Sequence, residues 1–103
     1  MSLTKKYLKN KPACKITFEL PKEAAENAAQ VELLGDFNEW KAGVNPLIKD
    51  KNGNFSVTVE LVAAQDYQFR YLIDGHIWIN DWDADRYEFN PAGNCENSVV
   101  ALS

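Results

Sequence analysis

Apolar and polar residues alternate with a period of two through much of this chain. Cys14, Ile16, Phe18 and Leu20 interleave with Lys15, Thr17 and Glu19. Phe55, Val57, Val59 and Leu61 interleave with Ser56, Thr58 and Glu60. Tyr67, Phe69, Tyr71 and Ile73 interleave with Gln68, Arg70 and, less cleanly, Leu72. Val31 and Leu33 flank Glu32 before Gly35-Asp36 interrupts the run, and an apolar segment at 98–102 closes the chain. Side chains along a strand point alternately to its two faces, so each segment predicts a half-buried strand. The turns fall between them. Asp50-Lys51-Asn52-Gly53-Asn54 holds an Asn-Gly pair, a strong hairpin signal, and Asn45-Pro46 and Asn90-Pro91 punctuate loops. The segment 21–29 is too short to be stable as a helix and lacks an apolar stripe, so it predicts a loop with one helical turn. Short strands separated by turns predict an all-β fold, a β-sandwich, in one domain.

With 103 residues, 46% hydrophobic and 25% charged, the chain has the composition of a folded globular domain. Its net charge of -4 argues against a nucleic-acid partner, because phosphate contacts need a basic surface. The charge is uneven. Five lysines and no acid occupy residues 1–15, and residues 1–11 are expected to form a flexible basic arm ahead of a domain at 12–103. Asp81, Asp83, Asp85 and Glu88 read as a solvated acidic loop; a calcium loop starting at Asp81 would need glycine and an acid where Arg86 and Ala92 stand. No targeting segment or membrane span is evident, so a cytoplasmic protein without a membrane partner is expected. Cys14, Cys95 and the single His76 lack zinc-ligand spacing; the two thiols fit a reducing compartment, and a bridge between them is geometrically open but not indicated. No catalytic triad or cleft-flanking carboxylate pair is recognisable, so neither catalysis nor a metal nor a cofactor is expected.

Two short runs carry the candidate chemistry: G-D-F-N-E-W (Gly35 to Trp40) and D-G-H-I-W (Asp74 to Trp78). Each sets a tryptophan just after a turn, beside polar groups. A ring presented this way offers a flat apolar face, the complement of the C–H face of a pyranose. The pattern extends through Pro46-Leu47, Gly53, the strand Y-Q-F-R-Y-L-I-D-G (Tyr67 to Gly75), Gly93 and Asn97. On these residues, Val31 to Leu102 resembles carbohydrate-binding module family 48. That family includes the early-set domains of isoamylases and glycogen-branching enzymes and the glycogen-binding domain of the AMP-activated kinase β-subunit. The resemblance implies an immunoglobulin-like early-set sandwich of about seven strands, here as a stand-alone domain. It implies a non-catalytic module for α-1,4-linked glucans such as glycogen or starch, with a glycogen-metabolising enzyme as a further partner. By the same resemblance Trp40 and Trp78 stack on glucose rings, while Arg70 and Asn97, with Glu96, hydrogen-bond hydroxyls.

Three positions depart from the kinase-type pattern. Ala92 stands where a leucine reaches the ligand, and Glu96 replaces the first asparagine of an Asn-Asn pair. One residue is added before Trp78, which turns the ring to the other face unless a bulge or longer turn absorbs it. Trp82 and Tyr87 are candidate replacement contacts, although Trp82 reads better as a core anchor of its loop. The rival reading is an adaptor that keeps the fold without sugar binding and docks a protein on Leu34 and Leu72, both outward by parity. Coplanar, exposed tryptophans on one face favour sugar; buried rings beside an exposed apolar face favour a protein.

Overall fold

The two-residue alternation becomes two antiparallel sheets packed face to face. A computed structural model describes residues 3–25, 27–93 and 95–102. The strands are β1 (Leu3–Tyr7), β2 (Ala13–Leu20), β3 (Val31–Gly35), β4 (Ile48–Lys49), β5 (Phe55–Val62), β6 (Asp66–Ile73), β7 (Ile77–Ile79), β8 (Arg86–Asn90) and β9 (Cys95–Ala101). One sheet runs β1-β2-β5-β4; the other runs β3-β6-β9-β8, with β7 paired to β6 beyond the end of β9. This is the all-β sandwich expected, with more strands among the described residues than the seven or so anticipated. Among the described residues no helix is long and apolar enough to cross a membrane.

The inward residues of both sheets meet in one core. Cys14, Ile16, Phe18 and Leu20 come from β2, and Tyr67, Phe69, Tyr71 and Ile73 from β6. Phe18 crosses the interface edge-on to Phe69, ring centroids 5.0 Å apart at 75°, and Phe69 packs in the same manner on Tyr71 at 5.7 Å. Such tilted contacts suit the ring quadrupole better than a face-to-face sandwich. The Asn-Gly segment forms the expected hairpin between β4 and β5, with Gly53 left-handed at φ 92 and Asp50 Oδ1 accepting the Asn52 and Asn54 amides.

The N-terminal segment departs from expectation. Where a flexible arm was anticipated over residues 1–11, Leu3–Tyr7 pairs with β2, Leu3 opposite Phe18 and Tyr7 opposite Cys14. Leu3 is buried, and Lys5 reaches the other sheet, where it pairs with Asp85 at 2.7 Å and donates to the Ala101 carbonyl at 3.0 Å. A lysine-rich strand is thus held by one apolar anchor and one cross-sheet cation.

The loop at 81–85 is not wholly solvated either. Asp81 is buried; its Oδ2 accepts the Tyr71 hydroxyl at 2.7 Å and its Oδ1 accepts the Asp83 amide at 2.8 Å. Its own amide donates to Ser98 Oγ, and its carbonyl accepts the Tyr87 hydroxyl at 2.6 Å. Asp81 therefore takes the inward position of the loop and turns its neighbour Trp82 out to 63% exposure, so Trp82 is not the core anchor expected. Burial is satisfied here because each polar atom is bonded.

Burial, reinforced by the charge and hydrogen bond of Asp81, holds the Tyr71 phenol well above its ordinary value of 10.0. The folded chain retains this proton where the unfolded chain releases it. The stabilisation is complete below pH 10.0 and is lost as pH rises from there through the folded value. Tyr71→Phe is expected to lower stability at neutral pH by about 1–3 kcal/mol, by leaving Asp81 Oδ2 without its donor. It should also flatten the alkaline decline of the thermal midpoint, measured by circular dichroism between neutral pH and pH 11 or so. An unchanged alkaline slope would contradict this role for Tyr71.

Candidate functional site

Trp40 is placed by a turn that closes on the end of β3. Gly35 lies so near β6 that a Cβ there would sit 2.6 Å from the Gln68 carbonyl and 2.8 Å from the Phe37 ring, so only glycine fits. Asn38 fastens the 3-10 turn at Asp36–Asn38: its Oδ1 accepts the Gly35 amide, and its Nδ2 donates to the Leu33 carbonyl and to Asn45 Oδ1. Glu39 and Trp40 then adopt left-handed backbones, φ 59 and 58, which reverse the chain. The Trp40 amide donates to the Gly35 carbonyl at 3.0 Å, and its indole N–H donates to Asp36 Oδ1 at 3.1 Å. The returning segment pairs with β3 through Leu33 N–H to Asn45 O and Leu47 N–H to Val31 O. Pro46, which has no N–H, stands opposite Glu32 at this margin.

Trp78 is placed by a hairpin whose loop takes up the added residue. Ile73 pairs with Ile77 across Asp74-Gly75-His76, with Asp74 and Gly75 left-handed at φ 52 and 77. Trp78 consequently pairs with Leu72 and shares the outer face of the sheet with Arg70. Asp74 also ties this turn to the 21–30 segment, its Oδ1 accepting the Ala29 and Gln30 amides at 2.8 and 2.9 Å. That segment contains successive i to i+3 turns, as at Pro21–Ala24 and Lys22–Ala25.

Four of the five sequence-predicted residues converge. Trp40, Arg70, Trp78 and Asn97 line an outer-face cleft of about 250 Å³, together with Asn90 and Cys95. The Trp40 and Trp78 rings lie 6.4 Å apart, tilted by 51° and not coplanar. Trp78 is 42% exposed and Trp40 half-buried. The Arg70 guanidinium stacks over Trp78 at 5.7 Å. Among the described residues Arg70 Nε is buried without a hydrogen-bond partner. Asn97 lies within β9 and donates from Nδ2 to Gln68 Oε1 at 2.9 Å.

Glu96 does not join them. It pairs with Phe89, one position out of step with Asn97, and alternation turns its side chain to the opposite face of the sheet. Tyr87 lies on that same far face, opposite Ser98, and Ala92 is outside the cleft lining. The apolar docking patch expected at Leu34 and Leu72 is absent: both face outward but are buried, at 2% and 7% exposure. The Trp40 loop folds back over this face, with Gly43 N–H donating to the Glu32 carboxylate and Trp40 meeting Trp78.

Asn90 and Cys95 went unread because β8 was not anticipated. Its pattern R-Y-E-F-N does alternate, and pairing it with β9 sets Asn90 directly opposite Cys95. Both cysteines are free: Cys14 is buried in the core, whereas Cys95 is on the outer face. Among the described residues no group of three His, Cys, Asp or Glu side chains is gathered to hold a metal.

The family model described as carbohydrate-binding module 48 (isoamylase N-terminal domain) matches residues 21–100, a span that contains all six cleft residues. No curated protein matches the chain.

Because the loop absorbs the added residue, deleting His76 leaves the two-residue Asp-Gly turn that hairpins favour and keeps the strand register. The Trp78 indole resonance and its stacking on Arg70 should persist in that variant. Inserting an alanine between Ile77 and Trp78 should instead turn the ring to the other face and abolish the Trp40–Trp78 contact, read as a lost cross-peak between the rings by NMR. Equal behaviour of the two variants would contradict the assignment.

Proposed function

Since the chain belongs to the carbohydrate-binding module 48 family, a family of non-catalytic carbohydrate-binding domains, we propose that its outer-face cleft binds α-1,4-linked glucans of the glycogen and starch type. The observation that carries this reading is the pair of tryptophans, 6.4 Å apart on one face, lining a single cleft with Arg70 and Asn97. Trp40 and Trp78 supply apolar platforms for two glucose rings. The 51° tilt between them suits a chain that coils, as α-1,4 linkages make it do, better than a flat β-1,4 ribbon. The Arg70 guanidinium lies over Trp78 in the same cleft, where its terminal N–H groups donate to sugar hydroxyls. Asn97 keeps its carbonyl oxygen toward Cys95, at 3.9 Å from a thiol that donates only weakly, and so retains acceptor capacity for a second hydroxyl. Asn90, at the rim, adds an amide to the same cleft.

The site is small and open. Aromatic pairing adds only about 0.5–1.5 kcal/mol per contact beyond burial. Affinity for a short oligosaccharide is therefore expected in the millimolar to micromolar range, about -4 to -8 kcal/mol. Maltoheptaose and β-cyclodextrin should give a saturable change in tryptophan fluorescence, and Trp40→Ala should weaken binding at least about tenfold, or 1.4 kcal/mol. A folded wild-type protein that gives no response to millimolar ligand would overturn the reading and direct the search to a protein partner.

A further inference from the structure

The turn that carries Trp40 holds a carboxylate with two partners, outside the residues that line the cleft. Asp36 follows Gly35, where the β3–β6 ladder ends at the Gly35–Phe69 pair. Asp36 Oδ2 accepts the Gln68 backbone N–H at 2.8 Å, so the side chain continues the ladder after the main chain has turned away. Asp36 Oδ1 accepts the Trp40 indole N–H at 3.1 Å. Gln68 in turn receives the Asn97 amide on its own side chain, Oε1 to Nδ2 at 2.9 Å. Asp36 and Gln68 thus link Trp40, at one side of the cleft, to Asn97 on β9.

The linkage matters because the Trp40 backbone, although tied to the Gly35 carbonyl, is held in a sparsely populated conformation and does not by itself orient the ring. Glu39 and Trp40 both occupy the left-handed region, which side chains with a Cβ populate sparsely. An indole has a single donor and no acceptor. With that donor bound to Asp36, the ring has a fixed edge and presents its faces. Without it, the ring is free to rotate and its N–H competes for ligand hydroxyls. Fixing a platform before the ligand arrives reduces the ordering cost of binding.

We propose that Asp36 is the positioning residue of this site: it sets the plane of Trp40 through the indole N–H and registers it against β6. The proposal rests on the glucan-binding reading, and Asp36 acts through Trp40, not by touching sugar.

The test uses the full chain, uniformly 15N-labelled, as wild type, Asp36→Ala and Asp36→Asn, each also made in the Trp40→Phe background. Asp36→Ala is expected to move the Trp40 indole resonance in the absence of ligand and to weaken maltoheptaose binding by about 5–20-fold, the cost of ordering the ring only when ligand binds. Asp36→Asn has one acceptor oxygen for two donors, the indole N–H and the Gln68 amide, and should fall between Asp36→Ala and wild type in both indole shift and affinity. In the Trp40→Phe background there is no N–H to hold, so Asp36→Ala should change the remaining affinity by less than about twofold. An indole resonance that does not move would overturn the proposal. So would an equal loss of affinity with and without Trp40→Phe, which would mark Asp36 as a purely structural residue. A wild-type chain that binds no maltoheptaose overturns the glucan reading and the proposal with it, whereas wild-type binding with no effect of Asp36 overturns the proposal alone.

Discussion

Strand β6 is hydrogen-bonded along both edges, to β3 on one side and to β9 and then β7 on the other. This double pairing fixes its register, and alternation then assigns every side chain to one of two tasks. Tyr67, Phe69, Tyr71 and Ile73 go to the core; Gln68, Arg70 and Leu72 go to the outer face. The three neighbours bring their own outward residues to the same surface, Trp78 from β7, Asn97 and Cys95 from β9, and the Trp40 turn from the end of β3. The site is therefore a by-product of core register: a slip of one residue in β6 would bury Arg70 and expose Phe69. Core stability and site geometry rest on the same ladder.

Where the ladders end, carboxylates take over the main-chain amides. Asp36 accepts Gln68, Asp74 accepts Ala29 and Gln30, and Asp50 accepts Asn52 and Asn54. Asp66 accepts Leu102, Asp85 accepts Ala101, and Asp81 accepts Asp83. Hydrogen bonds to an ionised acceptor are the stronger kind, and each spares a backbone donor from going unpaired. The acidity of the chain is thus put to structural use at strand ends and turns. It is not simply a solvated surface.

What the sequence made legible follows from burial. β2, β5 and β6 alternate cleanly because each has a core-facing side, and Cys14, Ile16, Phe18 and Leu20 are all fully buried as their pattern predicts. The tryptophan motifs and Arg70 were legible through family resemblance, and their placement on one face follows from parity once the register is known. Edge strands were harder. β1 shows mainly its lysines, and the contact that secures Lys5 lies on the far sheet at Ala101, 96 positions along the chain. β8 alternates over only five residues, R-Y-E-F-N, between the acidic loop and Asn90-Pro91, too short a run to stand out. Hydropathy also misorders Asp81 and Trp82, because it counts the cost of burying a carboxylate but not the tyrosine, serine and backbone groups that meet it. Glu96 illustrates register in its simplest form: adjacent in sequence to Asn97, it lies on the other side of the sheet.

The central claim is that a glucan occupies the outer face of the β3-β6-β9-β8 sheet, between Trp40 and Trp78. The chain offers three tryptophan reporters, and the third, Trp82, stands apart from the cleft at 63% exposure. Following the three indole N–H resonances of the 15N-labelled protein during a maltoheptaose titration distinguishes the surfaces directly. Concerted, saturable movement of the Trp40 and Trp78 signals, with the Asn97 side-chain amide moving alongside and Trp82 still, is the predicted result. Movement of Trp82 while Trp40 and Trp78 stay fixed would contradict the account and relocate binding to another surface.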